Sequence, residues 1–161
     1  MATTKLLEPK DSIAYRAIRL EALKKYPEYF GSGYEQQLQL EKLYFERLIE
    51  EGSEKGKMAG VFIDDQLVGI CGVTFETKVL PNAGEIIQMY VKPEYQNKGF
   101  GKSLMKKIED ICTSSAISTA LLEVVINNSS AIKVYEQSSY KINESLSSDQ
   151  NTVYMTLAMN Q

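Results

Sequence analysis

The chain of 161 residues contains no histidine and only two cysteines, Cys71 and Cys112. Without an imidazole, a Ser-His-Asp triad, a histidine metal site and a histidine general base are all excluded. Any proton transfer must use carboxylate, tyrosine, cysteine, lysine or water. The two cysteines sit in apolar contexts and lack the spacing of a zinc site, so they read as small core residues rather than a disulfide. No metal is expected. No apolar run approaches the roughly 18 residues of a membrane span, and Met1-Ala2-Thr3-Thr4-Lys5 leads into no signal-peptide core. These absences predict a cytoplasmic protein with no membrane partner. The net charge is −3 and the pI about 5.2. Nucleic acid demands a clustered basic face, so no nucleic-acid partner is expected and a cationic small substrate would be better received.

What is present is a 43% apolar composition, enough for one domain over residues 1–161. Lys5-Leu6-Leu7 reads as a short first strand, and Asp11 as the N-cap of a helix from Ser12 to Lys25 that Tyr26-Pro27 stops. A second helix is expected from Glu35 or Leu40 to Glu50. Between the two helices, the turn-rich residues 27–33 and the aromatics Tyr26, Tyr29, Phe30 and Tyr34 either line an acceptor pocket or pack beneath the loop. Residues 58–63 and 66–75 alternate like strands around Asp64-Asp65, a hairpin signal. Residues 85–91 and 120–126 read as buried strands, and residues 153–159 as a closing antiparallel strand.

The chain is organised around residues 91–103, V-K-P-E-Y-Q-N-K-G-F-G-K-S. Pro93 ends the strand before it, and Leu104, Ile108 and Ile111, with Met105 and Cys112, give the helix after it one buried face. Gly99 and Gly101 would let the backbone adopt positive φ and approach a ligand. The free N–H groups and dipole of the helix start would then favour a phosphate. A Walker A loop fails because Gln96 stands where it needs glycine, and a dinucleotide fingerprint fails at Leu104.

Gln96-Asn97-Lys98-Gly99-Phe100-Gly101, preceded by Val91-x-Pro93-x-Tyr95, fits Q-x-x-G-x-G and resembles the acetyl-coenzyme A pyrophosphate loop of the GCN5-related N-acetyltransferases. Asn128 opens N-S-S-A-I-K-V-Y-E, which is similar to the N-x-x-A-x-x-hydrophobic-Y-E helix of that family. The C-terminal half looks like bacterial ribosomal-protein N-terminal acetyltransferases. The family commonly follows this helix with Gly-Phe, where this chain has Ser139-Tyr140.

The resemblance implies an α/β (α+β) fold. It would be a single domain with a mixed, mostly antiparallel sheet of six to seven strands, a splayed parallel pair and about four flanking helices. It implies acetyl-CoA as acyl donor, an amine-bearing acceptor and, commonly, a homodimer. Cofactor binding would fall to Met89, Tyr90 and Val91, to the loop residues Gln96, Asn97, Lys98, Gly99, Phe100, Gly101, Lys102 and Ser103, and to Asn128. Glu123 precedes Asn128 by five residues, the family's interval for a general base, and Tyr135 would protonate the departing thiolate. Glu85 begins the organising strand eleven residues before Gln96, where protein-lysine acetyltransferases carry their base. Glu123 ranks above it because its apolar flanks predict little solvation. The function implied is N-acetylation of a primary amine of a small molecule, peptide or protein; the alternative is a non-catalytic acyl-CoA-binding regulatory module.

Overall fold

A computed structural model describes residues 1–30, 33–146 and 149–159. Its backbone is a sheet of seven strands in the order β1-β2-β3-β4-β5-β7-β6. β1 (Ala2–Leu6), β2 (Gly56–Ile63), β3 (Gln66–Thr74) and β4 (Ala83–Val91) form an antiparallel meander. β5 (Thr119–Val125) lies parallel to β4, and β7 (Thr152–Ala158) and the two-residue β6 (Lys141–Ile142) close the sheet antiparallel. The expected mixed sheet with one parallel pair is therefore what forms. Ile63 pairs directly with Gln66 across Asp64 and Asp65, both at positive φ (48° and 69°), the geometry of a type I′ turn.

Helices cover both faces. α1 (Ser12–Lys25) and α3 (Tyr44–Glu51) bury Tyr15, Ile18, Phe45 and Leu48 against Met58, Leu67 and Ile70. α4 (Phe100–Ser114) buries Leu104, Met105, Ile108 and Cys112 on the other face, with Tyr135 of α5 (Ser129–Gln137) in the same core. Cys71 and Cys112 are both free and buried, as expected of core residues.

The expected second helix is two elements, α2 (Tyr34–Leu38) and α3. The break is held from outside. Arg16 donates to the carbonyls of Leu38, Leu40 and Glu41 and pairs with the buried Glu46, which in turn accepts the Leu43 N–H at 2.8 Å. A guanidinium satisfying three carbonyls makes an open segment as favourable there as a continuous helix. Asp11 stands before α1 as expected, but its carboxylate accepts the Glu8 N–H at 2.8 Å instead of capping the helix. Gly31 and Ser32 of the turn-rich stretch lie outside the described residues.

Candidate active site

The sheet opens along β4. Opposite β3 its register runs Val91 to Gly69 and Tyr90 to Ile70, then resumes with Ile87 at Gly72, so Cys71 faces both Gln88 and Met89. This is a β-bulge, in which one extra residue is left out of the ladder and the strand bends. Gln88 sits at φ 61°, left-handed backbone that a non-glycine residue enters at a cost of about 1 kcal/mol or more. On the other side, parallel pairing with β5 ends at Ile86 opposite Leu122. Beyond that point residues 87–91 and 123–125 share no ladder, and the two strands diverge.

A cleft of about 720 Å³ lies beyond the divergence. Met89, Tyr90 and Val91 form its floor, and Tyr26, Tyr29 and Phe30 stand at one side. Of the aromatics expected to line a pocket or pack under the loop, these three reach the cleft. Tyr34 does not, and the Lys24 ammonium lies over its ring.

The loop from β4 to α4 forms a second wall. Pro93–Tyr95 makes a 3-10 turn, and the Gln96 side-chain amide donates to the Val91 carbonyl at 3.0 Å, folding the loop back onto the strand end. Asn97 (φ 62°) and Gly99 (φ 86°) then turn the chain into α4. Positive φ was expected of both glycines, but only Gly99 has it. Gly101 is already in the helix, where an added Cβ would stand 3.3 Å from Val134 Cγ1, so its task is close approach of α4 and α5. The Ser103 N–H is bonded to the Gly99 carbonyl at 3.1 Å. The N–H groups of Phe100, Gly101 and Lys102 have no partner within the helix, and all three residues line the cleft together with Gln96, Asn97 and Gly99. Lys98 and Ser103 do not line it; the Ser103 hydroxyl donates to the Gly99 carbonyl instead.

α5 supplies the third wall. Asn128 caps it, its Oδ1 accepting the Ala131 N–H at 3.4 Å, and Asn128 and Val134 both face the cleft. Tyr135 is 6% exposed and belongs to the core beneath α4. Burial, and secondarily the nearby Cys71 thiol, push its phenol well above the ordinary value, so it stays protonated. The residues present fit a long ligand with a phosphate group: three backbone donors at a helix start, a left-handed Gly99 that turns the loop into that start, and an open strand edge.

Glu85 and Glu123 lie elsewhere. Alternation sends Ile86 and Leu122 into the core under α4, and Glu85 and Glu123 to the opposite face beside Tyr154, which pairs with Glu123. Burial raises the Tyr154 pKa, and Glu123, Glu85 and Asp149 add to it, so three carboxylates converge near this phenol. Thr77 donates to Glu85 at 2.7 Å and Thr152 to Glu123 at 2.8 Å. The expectation that apolar flanks shield Glu123 fails. It is exposed, because the ladder that would cover its β4 side ends one residue earlier, whereas Glu85 is half-buried. Two polar residues escaped the sequence reading: Tyr15, whose hydroxyl donates to Gln88 Oε1 at 2.6 Å, and Gln88 itself. The signal for Gln88 was present, a lone amide inside E-I-I-Q-M-Y-V.

A bulged strand splayed from its parallel neighbour, with a glycine-led helix start aimed into the gap, defines an acyl-CoA-dependent acyltransferase architecture. The acetyltransferase (GNAT) family profile matches residues 17–140, and the chain belongs to that family as an N-acetyltransferase. Spermidine N(1)-acetyltransferase of Thermoplasma acidophilum is 30% identical over 122 residues, which are 76% of this chain and 73% of the relative. The ribosomal protein bS18-alanine N-acetyltransferase of Escherichia coli is 32% identical over 60 residues, 37% of this chain and 40% of that enzyme. The crystal structure of the paia N-acetyltransferase of Thermoplasma acidophilum in complex with coenzyme A superposes with a TM-score of 0.78 at 22% identity. It covers 98% of this chain and 99% of that one. Among the described residues no helix is long and apolar enough to cross a membrane, and no cluster of three or more His, Cys, Asp or Glu could hold a metal.

Proposed function

We propose that this chain moves the acetyl group of acetyl-CoA onto a primary amine of a small polycationic acceptor of the polyamine type, by direct attack of the amine. The observation that carries the reading is the juxtaposition in β4: the bulge at Gln88 and Met89 and the end of the β5 ladder at Ile86 open the same strand toward one cleft. Acetyl-CoA supplies an activated thioester carbonyl. The N–H groups of Phe100, Gly101 and Lys102 hold the pyrophosphate, and the edge of residues 89–91 bonds the arm that leads to the thioester.

A lysine-like amine has a pKa near 10.4, so its deprotonation at pH 7 costs roughly 4–5 kcal/mol. Glu123 or Glu85, neither of which lines the cleft, accepts that proton through water from the far face of the sheet; a positioned base is worth about 10²–10⁴ in rate. The Met89 N–H meets the negative charge that develops on the carbonyl oxygen. The proton for the departing sulfur is assigned to the Tyr135 phenol, which stays protonated in the core behind the cleft lining and has to reach the sulfur from there. A polycationic acceptor is supported by the three carboxylates around Tyr154 and by the spermidine acetyltransferase among the relatives. The test is thiol release from acetyl-CoA across polyamines, aminoglycosides, amino acids and peptide N-termini. Polyamines should give the highest kcat/KM. A preference for neutral or anionic acceptors would overturn the acceptor assignment, and acetyl-CoA binding without turnover would favour a regulatory module.

A further inference from the structure

We propose that Tyr15 is a positioning residue: through its hydrogen bond to Gln88 it holds the left-handed β4 bulge that aims the Met89 N–H into the cleft. The inference rests on the reading that this N–H meets the thioester carbonyl.

Gln88 stands at φ 61°, and within β4 it alone has positive φ. A strand of Ile, Tyr and Val neighbours prefers regular pairing, and glutamine has no special tolerance for the left-handed region. Something must therefore hold the backbone there. The bonding partner is not in the sheet. Tyr15 lies 73 residues earlier on α1, is 1% exposed, and donates to Gln88 Oε1 at 2.6 Å. Its ring is fixed by Phe45, with centroids 6.5 Å apart, so the hydroxyl presents one geometry to the bulge.

Arg19 lies one helical turn further along α1. Its guanidinium lies over the Phe30 ring at 5.1 Å, and its Nη1 is buried without a hydrogen-bond partner. Burial holds the Tyr15 phenol well above its ordinary value and the Arg19 charge offsets this only in part, so the hydroxyl keeps the proton that it donates to Gln88. Phe30 and Met89 both line the cleft. Phe30 of the cleft thus packs on a side chain of the same helix that carries Tyr15.

If the tether sets the bulge, its loss misaims the Met89 N–H without touching the cofactor cradle. Misplacement of a catalytic group by about 1 Å can cost up to a hundredfold in rate. Tyr15→Phe keeps the ring and removes only the bond. It should lower kcat about tenfold or more, leave the acetyl-CoA Kd within about twofold, and speed hydrogen exchange at the Met89 amide. Asparagine tolerates left-handed backbone better than glutamine and is too short to reach Tyr15. Adding Gln88→Asn to Tyr15→Phe should therefore restore most of the lost kcat and slow Met89 exchange again. A purely packing role for Tyr15 would not be rescued by a change at Gln88. Unchanged kcat and exchange in Tyr15→Phe, or a double variant no better than Tyr15→Phe alone, would overturn the proposal. If the native protein shows no turnover with any amine, it is the transferase reading that falls, and Met89 exchange in the same variants still decides the tether.

Discussion

Tyr140 is 2% exposed and its hydroxyl is buried without a partner, while Ser139 before it stands at φ 73°. Together they close α5 with a Schellman turn, Tyr140 N–H to the Tyr135 carbonyl and Ser139 N–H to the Glu136 carbonyl, both at 3.0 Å. The resembling family commonly has Gly-Phe there, and the structure shows serine in the conformation glycine would favour and tyrosine in the place of the phenylalanine. Tyr140→Phe should therefore raise stability by about 1 kcal/mol, read as a higher urea midpoint, because an unbonded buried hydroxyl only costs desolvation. The buried phenols Tyr15, Tyr135 and Tyr140 and the Cys71 thiol are all raised by burial, and Cys112 is pushed up to about 12. The folded chain keeps these protons while the unfolded chain loses them near 8.5 and 10. Stability is thus present in full below about pH 8 and declines as the pH rises toward the folded values. Urea midpoints between pH 7 and 11 check this, and a flat profile would contradict it. For the base, the pH–rate profiles of Glu123→Gln and Glu85→Gln should differ, one losing the limb that reports proton acceptance by about 10²-fold or more. At this scale the sequence was informative about residue type but poor about solvation. L-L-E-V-V-I reads as a dry strand, and nothing local reveals that the neighbouring ladder stops one residue before Glu123.

Elements were legible wherever local chemistry decides. The Asp64-Asp65 turn, the Pro93 stop and the amphipathic face of α4 appear as their residues predict. β6 went unread because two exposed residues carry no periodicity, and the break between α2 and α3 because its cause, Arg16, belongs to another helix. Arg16→Gln should strand the buried Glu46 carboxylate and the loop carbonyls, costing roughly 3 kcal/mol in a denaturation experiment. In the cradle, Gly101→Val should push α5 off α4 through Val134 and weaken acetyl-CoA binding by tenfold or more, measured by calorimetry. Unaltered affinity would remove the helix start as the phosphate site.

At the scale of the molecule, the described residues form a seven-stranded sheet whose two parts, β1–β4 and β5–β7, meet in a parallel ladder only four residue pairs long. The motif in residues 96–101 pointed to the cofactor side of this arrangement, but the bulge and the carboxylates around Tyr154 appear only once strands far apart in sequence lie side by side. Both cysteines are buried, so the folded protein contributes no background to a thiol assay. The measurement that tests the account most directly is release of free thiol from acetyl-CoA by the purified protein, with and without spermidine. The account predicts release that depends on the amine and yields acetylated spermidine. Acetyl-CoA that binds but gives up no thiol with spermidine or any other amine would contradict it.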